Sequence, residues 1–131
     1  MQLNITTDYA IRTVVYLASV DRVAPAGEIA ANIGISANYL NRVAAMLKKA
    51  GLVDSRNGAT GGFLLAKKAQ DISLFDIISV MESTTRLNRC LEPDHFCSRN
   101  ATATCPVRRA LTQVQTAVEQ QLSAVHVSDL L

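Results

Sequence analysis

Cys90, Cys97 and Cys105 are the chain's three cysteines, and they stand together in RCLEPDHFCSRNATATCP. An odd set cannot pair fully as disulfides. Thiolate sulfur is a soft donor that suits iron–sulfur clusters and zinc, and a thiol can also be oxidised reversibly. The gaps of six and seven residues lack the close cysteine pairs usual in structural zinc sites. His95 lies between the first two cysteines, so a Cys3His zinc set is an alternative, as is a disulfide between two of the three. His126 falls in no ligand pattern.

The second concentration of chemistry is basic. The net charge is +2, yet residues 36–70 carry six Lys and Arg against one acidic residue. Residues 71–131 carry five against seven. A basic segment in a balanced chain points to a polyanion.

Helices must position both groups. Ile11, Val14, Val15, Leu17 and Ala18 predict an apolar face on a helix from Thr7 to about Val20, capped by Thr6 or Thr7. A short helix is expected over 26–32 after Pro25. Gly34 then permits a left-handed turn, and Ser36 is a natural cap for a helix reaching Ala50. In that helix Leu40, Val43 and Leu47 recur at helical spacing, and Gly51 closes it. This is the order of a helix-turn-helix.

LVDSRNGATGGFLLA then reads as a hairpin, with turn signals at Asn57-Gly58 and Gly61-Gly62. The fold class predicted is mostly α (α+β): a winged helix-turn-helix with a long C-terminal dimerisation helix. Ser73 caps a further helix, with Leu74, Ile77, Ile78 and Met81 inward. Cys105-Pro106 opens the last helix, with proline at its first position. There Val107, Leu111, Val114, Val118, Gln121 and Val125 alternate at spacings of four and three, a seam for a partner helix. Three units are expected: residues 1–70 for DNA binding, 71–104 as linking helix and cysteine loop, and 105–131 as dimerisation helix and tail.

On the helix from Ser36, the outward set predicts the DNA contacts. Asn38, Asn41 and Arg42 are the expected base readers, because Asn matches adenine and Arg matches guanine at two points. Ser36 is assigned to the backbone, Tyr39 either to the backbone or to packing, and Lys48 and Lys49 to general attraction. Arg56 and Asn57 on the wing are expected at a minor groove.

Enzymatic chemistry is not legible. RNGATGGF lacks the lysine and following helix of a phosphate-binding loop, and neither histidine sits in a nucleophile–base pattern. No apolar run is long enough for a membrane span, and the N-terminus does not read as a secretory signal, so a cytoplasmic protein is expected.

The run EIAANIGISANYLNRVAAMLKKAGLVDSRNGATGGFLLA, the opening TTDYAIR and the three-cysteine loop resemble the Rrf2 family of winged-helix transcription regulators, nearest in pattern to its nitric-oxide-sensing repressors. The resemblance implies a homodimeric repressor on a palindromic double-stranded operator. It also implies an iron–sulfur cluster, [4Fe–4S] or [2Fe–2S], on Cys90, Cys97 and Cys105, sensing nitric oxide, iron or redox state. A cube bound by three cysteines leaves one iron open. The nitric-oxide sensors fill it with an aspartate from the other subunit, which maps to Asp8; His95, or no protein ligand at all, is the alternative. Two features depart from the family pattern: the longer second cysteine gap, and RNGATGG where Arg-Gly is usual. Other members carry no cluster and respond to thiol oxidation or a partner protein, so a cluster-free regulator is the alternative function.

Overall fold

The computed structural model describes residues 1–131, and the element order follows the predicted one. Helix α1 spans Ile5–Val20, α2 Ala26–Ile33 and α3 Ala37–Lys49. Strands β1, Val53–Arg56, and β2, Gly62–Leu65, pair antiparallel with Val53 opposite Leu65. Helix α4 spans Leu74–Met81 and α5 Pro106–Ala124. Short 3-10 turns lie at Ala69–Asp71, Arg89–Leu91 and Val127–Leu130. The class is mostly helical with one two-stranded wing, as expected.

Asn4 caps α1, rather than Thr6 or Thr7: its side chain accepts from the Thr6 N–H at 2.9 Å. Asparagine is as good a cap as threonine, and both threonine hydroxyls are used elsewhere. Thr6 pairs with the Tyr39 hydroxyl, and Thr7 donates to Glu82. The buried face of α1 is also rotated from the apolar stripe. Thr7, Ala10, Thr13, Val14 and Leu17 are buried, while Ile11, Val15 and Ala18 are half-buried. Thr13 can enter the core because its hydroxyl donates to the Tyr9 carbonyl at 2.7 Å, which removes the cost of an unpaired polar group.

The helix-turn-helix forms where the local signals put it. Gly34 adopts φ 79°, a left-handed conformation that glycine reaches without strain. The Ser36 hydroxyl accepts from the Tyr39 N–H at 3.1 Å. Leu40, Val43, Ala44 and Leu47 face the core. Leu17, Ile29, Leu40, Leu47, Ile72 and Ile77 are fully buried there, and each such side chain contributes about 1.5–3 kcal/mol.

The wing is anchored at its root. Ala24 and Phe63 exchange backbone hydrogen bonds of 2.9 Å in both directions. Gly62 makes this approach possible, because a Cβ there would lie 2.1 Å from the Ala24 carbonyl oxygen.

Helix α4 starts with a capping box. Ser73 Oγ accepts from the Asp76 N–H, and the Asp76 carboxylate accepts from the Ser73 N–H. Ile77, Ile78 and Met81 are buried and Leu74 is half-buried. The tail beyond α5 returns to this region: Leu74 N–H donates to the Val125 carbonyl, Val127 N–H to the Ile72 carbonyl, and the Val127 side chain is fully buried. One core therefore runs from α1 to the last residues of the chain.

Candidate functional site

Three backbone features aim α3 outward. The αL turn at Gly34 swings it away from α2, the Ser36 cap fixes its start, and its apolar face is held by the core. Asn38, Asn41, Arg42, Lys48 and Lys49 are left exposed along one helix. Asn38 and Asn41 make no side-chain hydrogen bond within the chain, so both amides are free to read a base edge. Tyr39 is placed differently. It is half-buried, its hydroxyl is engaged with Thr6, and its ring stands edge-on to Tyr9 with centroids 5.6 Å apart. The Arg42 guanidinium lies 5.7 Å from the Tyr39 ring centroid, close enough for a cation–π contact that steadies it.

Lys48 donates to Ser55 Oγ at 2.6 Å and so ties the end of α3 to the wing. Arg56 is paired with Asp54 at 3.1 Å, while Asn57 is exposed at the turn. The Asp54 carboxyl is held below its ordinary range by the Ser55 N–H first and by Arg56 second. An exposed pair like this is worth little in stability, and it can yield to a phosphate. Lys67 and Lys68, exposed just after β2, extend the basic surface beyond the residues singled out by sequence.

All three cysteines line a single cavity of about 360 Å3, together with Asn88, Arg89, Phe96, Arg99 and Arg108. None is in a disulfide, and each is half-buried. Cys105 is the N-cap of α5, its sulfur accepting from the Arg108 N–H at 3.5 Å. Arg99 reaches the same sulfur at 3.7 Å. Asn88 donates to the Cys90 sulfur at 3.3 Å, and Arg108 Nε donates to the Cys90 carbonyl at 3.2 Å.

These donors favour thiolate over thiol. The Cys97 thiol is pushed below its ordinary value by the backbone N–H groups of Ala101 and Arg99, with the Arg99 charge adding to them. Cys105 is lowered mainly by the Arg108 N–H at the start of α5, and an ionised Cys97 opposes it. The two thiols are thus close enough to affect each other.

The loop itself is clipped by Arg89, whose guanidinium forks onto Asp94 with two contacts of 2.6 Å and lies 5.2 Å from the Phe96 ring centroid. This guanidinium, with the Phe96 N–H, lowers the Asp94 carboxyl to about 2.

The donor set suits an iron–sulfur cluster: three soft sulfurs on one cavity, beside the cationic side chains of Arg89, Arg99 and Arg108. No group of three or more Cys, His, Asp or Glu converges at metal-ligand spacing in this conformation. Neither candidate fourth ligand lines the cavity. His95 Nδ1 is 2.7 Å from an Arg108 guanidinium nitrogen. Asp8 is paired with Arg12 at 2.6 Å, with its side chain 42% exposed.

Sequence reasoning missed the three arginines around the thiols. Their only signal was their place in sequence: Arg89 next to Cys90, Arg99 two residues after Cys97 and Arg108 three after Cys105.

Residues 3–131 match the family model for Rrf2, described as an iron-dependent transcriptional regulator. The chain is similar in structure to IscR of T. potens, at 26% identity and TM-score 0.75, covering 99% of this chain and 85% of that one. It is also similar to CymR, the global cysteine regulator of B. subtilis, at 26% identity and TM-score 0.81, covering 99% and 95%. The oxidized form of S. aureus CymR shares the fold at 24% identity and TM-score 0.75, covering 99% and 95%. No helix is long and apolar enough to cross a membrane. With nearly its whole length matched, and with the helix-turn-helix, wing and C-terminal helix in place, this chain belongs to the Rrf2 family of transcriptional regulators.

Proposed function

We propose that this regulator is a cytoplasmic homodimeric repressor of a palindromic double-stranded operator, and that the state of its cysteine cavity sets its grip on DNA. The observation that carries the reading is the gathering of every thiol in the chain on one arginine-walled cavity. Asn38, Asn41 and Arg42 read bases in the major groove, and Ser36, Tyr39 and Lys48 hold the backbone. Arg56 and Asn57 reach a minor groove. Two copies of α3 engage half-sites about one helical turn, roughly 34 Å, apart.

Cys90, Cys97 and Cys105 would hold an iron–sulfur cluster, [4Fe–4S] or [2Fe–2S], with Asp8 of the partner subunit as the fourth donor. When bound, such a cluster supplies redox exchange and a point of attack for nitric oxide. The chain's own residues do the rest. Arg99 and the α5 N-terminus shift Cys97 and Cys105 toward their thiolate forms. Arg12 holds Asp8 ready and must release it. A loop of one subunit joined to the first helix of the other would bear on the spacing of the two copies of α3. Coupling on the order of 1–3 kcal/mol is enough for a tenfold change in affinity.

The second reading, a cluster-free thiol switch, is favoured by one observation: no carboxylate or imidazole lines the cavity beside the mutually sensitive Cys97 and Cys105. A disulfide between them would release two protons and two electrons to an oxidant.

One experiment separates the two. Protein purified without oxygen is examined for visible absorbance and iron, and its affinity for a duplex selected from a random pool is measured before and after nitric oxide. Brown, iron-containing protein whose affinity falls at least tenfold supports the cluster. Colourless protein whose affinity responds only to a thiol oxidant supports the switch. An affinity that ignores both treatments and survives replacement of all three cysteines by serine sinks the sensing role.

A further inference from the structure

We propose that Asn57 and Gly58, at the tip of the wing, form a self-modifying site: the chain converts its own Asn57 amide to a carboxylate and so loosens the wing's hold on DNA. The effect on DNA rests on the reading of the wing as a minor-groove arm. The chemistry at the site does not.

Asn57 is the chain's only asparagine followed by glycine. The fold leaves that pair open. Residues 57–60 are all exposed, and a Cβ built at Gly58 would meet nothing within 4 Å. The Asn57 amide and the Gly58 N–H make no hydrogen bond within the chain. Gly58 has φ 97°, a conformation other residues rarely adopt, so no side chain shields its nitrogen. Other asparagines are better guarded. The Asn32 amide donates to the Glu28 carbonyl, and the Asn88 amide donates to the Cys90 sulfur. Asn4 is occupied as the cap of α1. Asn38 precedes Tyr39, whose N–H is bonded to Ser36.

The reaction needs only water. The Gly58 backbone nitrogen gives its proton to solvent and attacks the Asn57 side-chain carbonyl carbon. A carbon–nitrogen bond forms there, and the bond to the amide nitrogen breaks. That nitrogen leaves as ammonia, and the product is a cyclic imide. Water then adds to one of the two imide carbonyls. Opening on the side-chain carbon gives aspartate. Opening on the backbone carbon gives isoaspartate, in which the chain runs through the former side chain. Nothing is oxidised or reduced, and either product carries one more negative charge at neutral pH.

Both products disturb the wing. The new carboxylate adjoins Arg56, whose guanidinium Asp54 already holds at 3.1 Å. It competes for that cation and repels phosphate. Isoaspartate also adds a carbon to the backbone of a turn with little slack. The Gly61 N–H bonds back to the Gly58 carbonyl at 3.0 Å, and a Cβ on Gly61 would lie 2.3 Å from the Arg56 carbonyl oxygen.

The test incubates the full-length protein in mildly alkaline heavy-oxygen water, beside a free peptide of the sequence SRNGAT. Peptide mass spectrometry then locates heavy oxygen. Position 57 should convert at close to the peptide's rate and ahead of every other asparagine. Gly58→Ala, whose methyl shields the nitrogen, should fall well behind. If that substitution unfolds the hairpin, Asn57→Gln, which would have to close a larger ring, carries the comparison. The converted fraction, separated by its charge, should bind the selected duplex about tenfold more weakly, as should Asn57→Asp. Bound duplex should in turn slow conversion. If position 57 keeps its amide while the peptide converts, the site is overturned. If it converts at the same rate with and without duplex and affinity is unchanged, the site stands and the wing's place at the DNA falls.

Discussion

The sulfur of Cys105 accepts a hydrogen bond from the backbone N–H of Arg108 at 3.5 Å, so a candidate cluster ligand is also the cap of the helix proposed to join two subunits. A cap of this kind is strongest when the acceptor is charged, because the helix N-terminus carries a partial positive charge. The thiolate and the start of α5 therefore stabilise each other, and whatever consumes that charge also loosens the first turn of the helix.

Thiol chemistry should reflect this. Hydrogen-bond donors lower both Cys97 and Cys105, so each reaches its thiolate form at a lower pH than an ordinary thiol, about 8.5. The sign follows directly: below that value these two sites keep a larger reactive fraction than a free cysteine does. Alkylation rates resolved by mass spectrometry between pH 5 and 10 should show midpoints for both sites shifted down. Arg99→Ala should move both midpoints back up, and more weakly than loss of the backbone donors would, because Arg99 is the smaller contributor at Cys105. Midpoints at the ordinary thiol value would show that the N–H groups do not reach the sulfurs in solution.

The wing root gives a stability prediction. At Gly62 the backbone takes φ 155°, and an added Cβ would press on the Ala24 carbonyl. That carbonyl accepts from Phe63 and cannot retreat without breaking the bridge. Gly62→Ala should cost on the order of 1–3 kcal/mol, since strain and a lost backbone hydrogen bond act together. The urea midpoint reads this directly, with the slope of the transition as a check that unfolding remains two-state. An unchanged midpoint would mean the hairpin root relaxes at no cost.

What the sequence disclosed, and what it withheld, divides along the range of the interactions. Gly34, Ser36, Gly51 and the spacing of Leu40, Val43 and Leu47 act within a few residues of themselves, so the helix-turn-helix was legible. The same holds for Pro106 at the head of α5. Asn4, Thr7 and Glu82 were not legible as a unit, because the carboxylate stands 75 residues from the hydroxyl it serves. Tyr39 read either as a backbone contact or as a packing residue, and which partner its hydroxyl takes, Thr6, lies 33 residues away in sequence. Gln115 drew no reading, because polarity is ordinarily a surface signal, whereas here its amide meets the backbone groups of Thr85 and Leu87 in a loop without regular structure. The cysteines announced a site by composition alone. The guanidiniums that tune them did not, since the fold of the loop decides which of its charges face inward.

The C-terminal helix offers the sharpest check on assembly. Val107, Val114 and Val118 are 63, 49 and 40% exposed, although they fall on the stripe predicted to face a partner helix. The core of the monomer takes only Gln115 from α5 into full burial, so these valines keep much of their surface open to solvent in the single chain. In a two-fold interface each would be buried twice, once per subunit. Burying a valine fully is worth about 1.5–3 kcal/mol, and partial exposure of the monomer surface reduces that figure accordingly. The double variant Val114→Glu, Val118→Glu places four carboxylates in the seam of a dimer and none in the core of a monomer. It should therefore keep its far-ultraviolet circular dichroism and thermal midpoint per subunit nearly intact, while light scattering reports half the wild-type mass. Operator affinity should fall with it, because a single α3 keeps only one half-site. A wild-type protein that already scatters as a monomer would refute the seam. A variant that stays dimeric and binds DNA unchanged would do the same, and would move the interface to another face.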